Sequence, residues 1–251
     1  MRRFEGKRVI VTGGGNGIGK ATVARFAAEG ATVVLTDRQR GAAEAASQEI
    51  STATGATIFP FIGDVSIKAD DLDTIEFALE KMGGVDILVN NAGVYYEEPF
   101  EEITEERWDE IMNVDLKGTF LMCQAATPHF KGKRAGVIVN MASTNGLAGE
   151  WGYAHYNAAK AGIVLLTKTL AIELGPFNIR VNCVCPGYIV TESTQAMDDA
   201  EFVQNYIDTK IPLRRLGQPK EVASVIAFLA SDDASFIHGT SILIDGGQLT
   251  D

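Results

Sequence analysis

This sequence predicts a doubly wound α/β fold of the Rossmann type: one parallel sheet of seven strands, flanked by helices on both faces. Three observations carry the expectation. Short β-branched, apolar runs alternate with longer stretches of helical periodicity, the first run passes directly into a glycine-rich turn, and no linker, repeat or low-complexity segment breaks the alternation. Strand then helix, repeated, builds parallel strands joined by right-handed crossovers. The 251 residues are accordingly read as one domain, 1–251, a length such a domain often reaches.

Strands are expected at residues 8–12, 32–36, 57–62, 87–89, 137–141, 179–185 and 241–244. Most are apolar at successive positions, as strands covered on both faces must be. Helices are expected at 17–29, 41–52, 68–81, 105–130, 155–174 and 219–230. The stretch 187–218 fits neither pattern: it is long, mixed in polarity and follows a strand end. Ligands of doubly wound folds bind beyond the carboxyl ends of the strands, so this stretch is expected to be a substrate lid.

Composition narrows the function classes. With 46% hydrophobic and 22% charged residues the chain can build a packed core. Its net charge of −11 repels phosphate backbones, so no nucleic-acid partner is expected. Cys123, Cys183 and Cys185 are too few for a disulfide framework. Cys183 and Cys185, two apart in an apolar run, should share one buried strand face. His129, His155 and His238 are scattered, and no metal site is expected. Residues 1–8 are basic, but no apolar signal core follows and no segment is long enough to span a bilayer. A cytoplasmic chain with no membrane partner is the expectation.

The first strand runs into Gly13-Gly14-Gly15-Asn16-Gly17-Ile18-Gly19, and a helix follows. Such a turn lets backbone N–H groups approach a pyrophosphate, and the helix N-terminus adds partial positive charge. The second strand ends at Asp37, 18 residues after Gly19. A carboxylate there accepts hydrogen bonds from adenosine ribose hydroxyls and repels the additional phosphate of NADP. NAD is therefore expected over NADP, although the adjacent Arg38 would welcome that phosphate. Asp64 and Val65 close the third strand, where they are placed to cradle adenine.

Tyr156 and Lys160 lie four apart in a helical stretch and project from one face. A nearby ammonium favours phenolate, which suits a tyrosine to proton exchange with a substrate oxygen. The pair alone is common on helix surfaces; its context gives it weight. Ser143 follows the fifth strand, thirteen residues before Tyr156, Asn90-Asn91-Ala92-Gly93 ends the fourth strand, and Asn113 lies in the next helix. Together with the glycine turn, with Arg180-Val181-Asn182, Pro186-Gly187, Pro212-Leu213-Arg214, Gly217 and Pro219, and with Ile244-Asp245-Gly246-Gly247, these resemble the short-chain dehydrogenase/reductase family over nearly the whole chain.

The resemblance implies a role for each position. Tyr156 is the general acid/base, Lys160 holds the nicotinamide ribose and lowers the tyrosine pKa, Ser143 hydrogen-bonds the reacting oxygen, and Asn113 holds a water leading to solvent. Gly13, Asn16, Gly17, Ile18 and Gly19 cradle the cofactor. Asn91, Ala92 and Gly93 wall it, with Pro186, Gly187, Ile189 and Thr191 near its nicotinamide. The pocket is lined by Val94, Tyr95 and Tyr96, by Thr144 and Asn145, by Gly149, Glu150, Trp151 and Tyr153, and by residues from Tyr188 to Ser193. Of these, Tyr95, Asn145, Trp151, Tyr153 and Tyr188 are the expected substrate contacts. Aromatic walls suit a ring or an alkyl chain with a polar handle. A secondary alcohol, cyclic and sugar-like or terpenoid-like, and its ketone are the expected substrates. A 3-oxoacyl thioester is the competitor, with Lys210, Arg214 and Arg215 the candidates for a carrier contact. A cofactor-binding regulator without turnover is the alternative from another class, which the intact Ser143, Tyr156 and Lys160 oppose. A homotetramer is expected from the resemblance and from Phe120, Met122, Ile163, Leu166 and Leu170 at helical spacing.

Overall fold

The computed structural model describes residues 2–192, 194 and 199–250. Its strands are β1 (Arg8–Thr12), β2 (Thr32–Asp37), β3 (Ile58–Ile62), β4 (Ile87–Asn90), β5 (Gly136–Met141), β6 (Ile179–Pro186) and β7 (Ser241–Ile244). They form one seven-stranded sheet in the order β3-β2-β1-β4-β5-β6-β7, and every neighbouring pair is parallel. The strand order reverses between β1 and β4, the switch point at which a crevice opens beyond the carboxyl ends.

Helices α1 (Gly17–Ala28), α2 (Arg40–Thr54), α3 (Lys68–Met82), α4 (Glu105–Ile111), α5 (Gly118–Lys133), α6 (Ala154–Leu174), α7 (Ala200–Lys210) and α8 (Pro219–Ala230) complete the described layers. Side chains alternate along each strand and feed two cores. Val9, Val11, Val33 and Leu35 pack with Phe26 of α1, Ala46 and Ile50 of α2, and Ile226 of α8. Ile10 and Val34 point the other way, toward Ile75 of α3, Met122 and Phe130 of α5, and Leu174 of α6. Cys183 and Cys185 share a buried face with Ile163 and Val164. Burial on both sides explains why the strands read as continuous apolar runs.

Two elements differ from expectation. The helix expected at 105–130 is interrupted by a six-residue π turn, Met112–Lys117, between α4 and α5. The inserted turn bonds the Gly118 N–H to the Asn113 carbonyl, five residues back, which an apolar repeat of 3.6 residues does not reveal. The stretch 187–218 contains α7, begun by Asp199, whose side chain accepts from the Phe202 N–H at 2.8 Å. The base of this stretch is fastened by a bridge between Ile189 and Gly217. Ser193, placed in the expected pocket, lies outside the described residues.

Candidate active site

The glycine turn is built by close approach. Gly13 and Gly17 have φ of +61° and +50°, the left-handed region. A Cβ on Gly19 would lie 2.0 Å from the Gly13 carbonyl oxygen, so only glycine lets α1 start against the turn. The Thr12 hydroxyl accepts from the Asn91 and Ala92 N–H groups, and the Asn91 side-chain amide donates to the Thr12 and Gly13 carbonyls, all at 3.0 Å. Asn91 thus clamps β4 to the turn. Asn16 caps α1 without a side-chain hydrogen bond, which leaves the first-turn N–H groups uncapped by protein side chains.

Asp37 stands beside the turn. One carboxylate oxygen accepts from the Gly15 N–H at 3.0 Å and the other from the Gln39 N–H at 2.9 Å. A Cβ on Gly15 would come within 2.9 Å of both Asp37 Oδ2 and Ala42. Arg38 is exposed. Asp64 accepts from the Ser66 N–H and hydroxyl at 2.9 and 2.7 Å, and Val65 is buried against Gly118. A glycine turn with no room for side chains at Gly13 and Gly19, an uncapped helix start and an acid at the second strand end fit the pyrophosphate and ribose of a dinucleotide.

The three residues expected to do the chemistry gather at the ends of β5 and β6. Ser143, two residues past β5, is buried; its hydroxyl lies 3.2 Å from the Asn145 N–H, which donates to it, and 3.4 Å from the Pro186 carbonyl. Tyr156 and Lys160 stand one turn apart on α6, with the ammonium 5.2 Å from the centre of the phenol ring. Lys160, 2% exposed, donates to the Met141 carbonyl at 3.1 Å. It also meets the fully buried Asp115 at 2.9 Å. The other oxygen of Asp115 accepts from the Val94 N–H at 2.8 Å.

Charge in this cluster differs from the expectation drawn from the resemblance. Burial holds the Tyr156 phenol above the ordinary tyrosine value; Lys160 and Ser143 pull it down, while Asp115 and Glu150 push it up. The ammonium has its expected sign of effect, but burial and a carboxylate outweigh it. Burial lowers Lys160, yet Asp115 and the phenol raise it further, so it is held above the ordinary lysine value. Burial pushes the Asp115 carboxyl up against the pull of Lys160.

The cleft beyond these groups encloses about 610 Å³. It is lined by Ile18, Pro186, Gly187, Ile189 and Thr191 on the cofactor side, and by all five expected contacts, Tyr95, Asn145, Trp151, Tyr153 and Tyr188. The rings of Tyr95 and Tyr153 lie 6.0 and 6.1 Å from that of Tyr156. Two other expected wall residues turn away. Val94 packs on the core, and Tyr96 bonds Glu110 with Arg107 stacked 3.8 Å over its ring. The Asn113 side chain, in the π turn, faces Lys117 at 3.3 Å rather than Lys160.

Several residues went unread in the sequence. Asp115 is one, although an acid between Val114 and Leu116 in a core-type pattern was a signal. Phe202 and Tyr206 of α7, with Gln248 and Leu249, also line the cleft. Tyr206 donates to Glu150 at 3.1 Å, accepts from Gln248 at 2.8 Å and packs edge-on against Tyr188 at 5.2 Å. Of the residues expected to mark oligomer contacts, Ile163 and Met122 are core. The exposed apolar side chains on α5 and α6 are Phe120, Leu165 and Ile172.

The doubly wound sheet, the dinucleotide-type glycine turn and the cluster of Ser143, Tyr156 and Lys160 together are the features of a Rossmann-type α/β protein. A family model described as "Enoyl-(Acyl carrier protein) reductase" matches residues 13–248. The 3-oxoacyl-[acyl-carrier-protein] reductase of Thermotoga maritima is 41% identical over 98% of both chains. The meso-2,3-butanediol dehydrogenase of Serratia marcescens is 39% identical over 98% of this chain and 95% of its own. The crystal structure of a levodione reductase superposes with a TM-score of 0.94 at 34% identity, covering 98% of each chain. The chain belongs to the short-chain dehydrogenase/reductase family and is an oxidoreductase of it. No helix among the described residues is long and apolar enough to cross a membrane.

Proposed function

We propose that this protein is an NAD(H)-dependent oxidoreductase that interconverts a secondary alcohol and its ketone. The convergence of Ser143, Tyr156 and Lys160 at the floor of the cleft carries this reading. The nicotinamide supplies the hydride donor or acceptor when bound. Every remaining task falls to the chain. The glycine turn and Asp37 would hold the pyrophosphate and adenosine ribose, and Lys160 the nicotinamide ribose. Ser143 and the Tyr156 phenol donate hydrogen bonds to the carbonyl oxygen on which negative charge develops. Tyr156 then gives that oxygen its proton, and takes one in alcohol oxidation. Asn113 would serve the proton path through its backbone carbonyl, given where its side chain points. The segment 187–218, with α7, acts as the lid of a single catalytic domain.

A small hydroxylated or cyclic substrate suits the cleft. Its outer wall carries Glu97, Glu150, Tyr153 and Tyr206, acceptors and donors for a substrate hydroxyl, beside the aromatic faces of Tyr95 and Tyr188. A 3-oxoacyl thioester is the second reading, favoured by the 41% identical reductase. Against it, Arg215 is already paired with Glu221 at 2.7 Å and Arg214 with the Asp208 carbonyl, which leaves Lys210 as the cleft's one cation among its described lining residues. Asp37 supports NAD over NADP by charge. A panel of cyclic ketones, vicinal diols and 3-oxoacyl thioesters, each with NADH and NADPH and followed by nicotinamide absorbance, tests the proposal. Turnover restricted to the thioesters would establish the second reading, and binding without any turnover would establish a regulator.

A further inference from the structure

We propose that Asp115 is a positioning residue of the proton-transfer site: its carboxylate grips the Lys160 ammonium and the Val94 N–H at once and sets the charge that Tyr156 experiences. The proposal rests on Tyr156 as the acid/base of the reaction above. Asp115 is fully buried, and so is its partner but for 2% of the lysine. The two oxygens do different work. Oδ1 accepts from the Val94 N–H at 2.8 Å and so fixes the chain just past Asn91, Ala92 and Gly93. Oδ2 lies 2.9 Å from Lys160. A Cβ on Gly93 would come within 3.0 Å of that same oxygen, so the Gly93 loop and the lysine both close on Asp115. Asp115 lies in the π turn Met112–Lys117, where it is buried while the Asn113 side chain faces Lys117.

An asparagine at this position would satisfy the Val94 N–H equally well, so scaffolding does not require the charge. The charge acts on Lys160. A lone buried ammonium would strongly favour phenolate at Tyr156; an ammonium matched by a carboxylate favours it little. The phenol therefore keeps its proton while the site waits for a carbonyl. Other charged and titratable groups around the phenol are few. Glu150 faces it from the loop after β5. His155, one residue back on α6, is engaged with Glu98 at 3.2 Å. Tyr95 and Tyr153 flank the ring, and Cys185 of β6 faces Lys160.

The test is a direct titration of the phenol in the substrate-free chain. Phenolate absorbance is recorded against pH, with the matching Tyr156→Phe variant subtracted to isolate this tyrosine. Asp115→Asn should lower the Tyr156 midpoint by about one unit or more, the size of effect an unmatched neighbouring charge has. The pH profile of kcat/KM for alcohol oxidation should move the same way. Lys160→Met should raise the midpoint, and the double variant Asp115→Asn/Lys160→Met should lie below Lys160→Met. That last comparison decides the matter if Asp115→Asn alone does not fold. An unshifted midpoint in both comparisons means that Asp115 carries no charge there and overturns the proposal. Intact turnover in Tyr156→Phe would sink the proposed function instead, leaving the titration of Lys160 and Asp115 to stand by itself.

Discussion

Asp71, in the first turn of α3, offers a perturbation whose sign and size follow from its surroundings. It is 2% exposed, and its Oδ2 has no hydrogen-bond partner among the described residues. Burial first, then the carboxylates of Asp70 and Asp64, push its acid up to about 8. An unfolded aspartate titrates near about 3.9. Between those two values the folded chain keeps a proton that the unfolded chain has lost. Stability therefore falls as pH rises from about 4 to about 8 and is level above that. Each unit is worth about 1.4 kcal/mol, which sets a ceiling of about 6 kcal/mol for the window. Water reaching the ionised group returns part of this, so the expected loss is about 2–3 kcal/mol. Asp71→Asn copies the shape of the neutral acid and has no proton to lose. The variant should exceed the unmodified chain in stability by about 2 kcal/mol near pH 9, with an advantage below about 1 kcal/mol near pH 5. Urea unfolding followed by the fluorescence of Trp108 and Trp151 at several pH values measures the difference, and the other titrating groups cancel between the two proteins. A difference that does not vary with pH would refute the reasoning.

Tyr156→Phe should reduce turnover roughly 10²–10⁴-fold, the usual contribution of a positioned acid/base; NADH binding, read by tryptophan quenching, should change little because Lys160 and the glycine turn remain. Asp37→Ala should shift cofactor preference toward NADP, since it removes the repelling carboxylate and leaves Arg38 free to pair with phosphate. A wild-type preference for NADP in steady-state assays would show that the charge reasoning fails at Asp37. Light scattering at micromolar concentration should give a mass near roughly 108 kDa, four times 26.9 kDa; substituting Leu165 and Ile172, exposed on α6 at 65% and 78%, by aspartate should lower it, and a monomeric mass for the unmodified chain would end the tetramer reading.

The fold was legible because its strands are buried twice over. Val9, Ile10 and Val11 feed alternate cores, so each must be apolar, and a run of that kind has few other homes. The glycine turn was legible for a similar reason. Gly13 and Gly19 leave no room for a side chain, and that steric demand prints itself on the sequence. The π turn was not legible, because one extra residue in a helix shifts the register without altering composition. Helix α7 escaped because it is amphipathic over barely three turns, and the face it turns to the cleft mixes Phe202 and Tyr206 with Asn205, Thr209 and Lys210.

The site divides along the same line. Tyr156, Lys160 and Ser143 were readable from their order and spacing, and three of the cleft's five expected contacts, Asn145, Trp151 and Tyr153, stand within a few residues of them. Asp115 was not readable, because its importance lies in a partner 45 positions away on another helix. Tyr206 was hidden likewise, since its bonds reach Glu150 and Gln248 across three separate segments. Spacing along a chain reveals groups that share one element. A charge balance is a property of elements brought together, so it becomes visible only once the sheet has set the distance between α6 and the π turn. This is why the expected direction of the Tyr156 pKa is opposed, first by burial and then by Asp115: the lysine was in the sequence beside its tyrosine, and both opposing effects were in the fold.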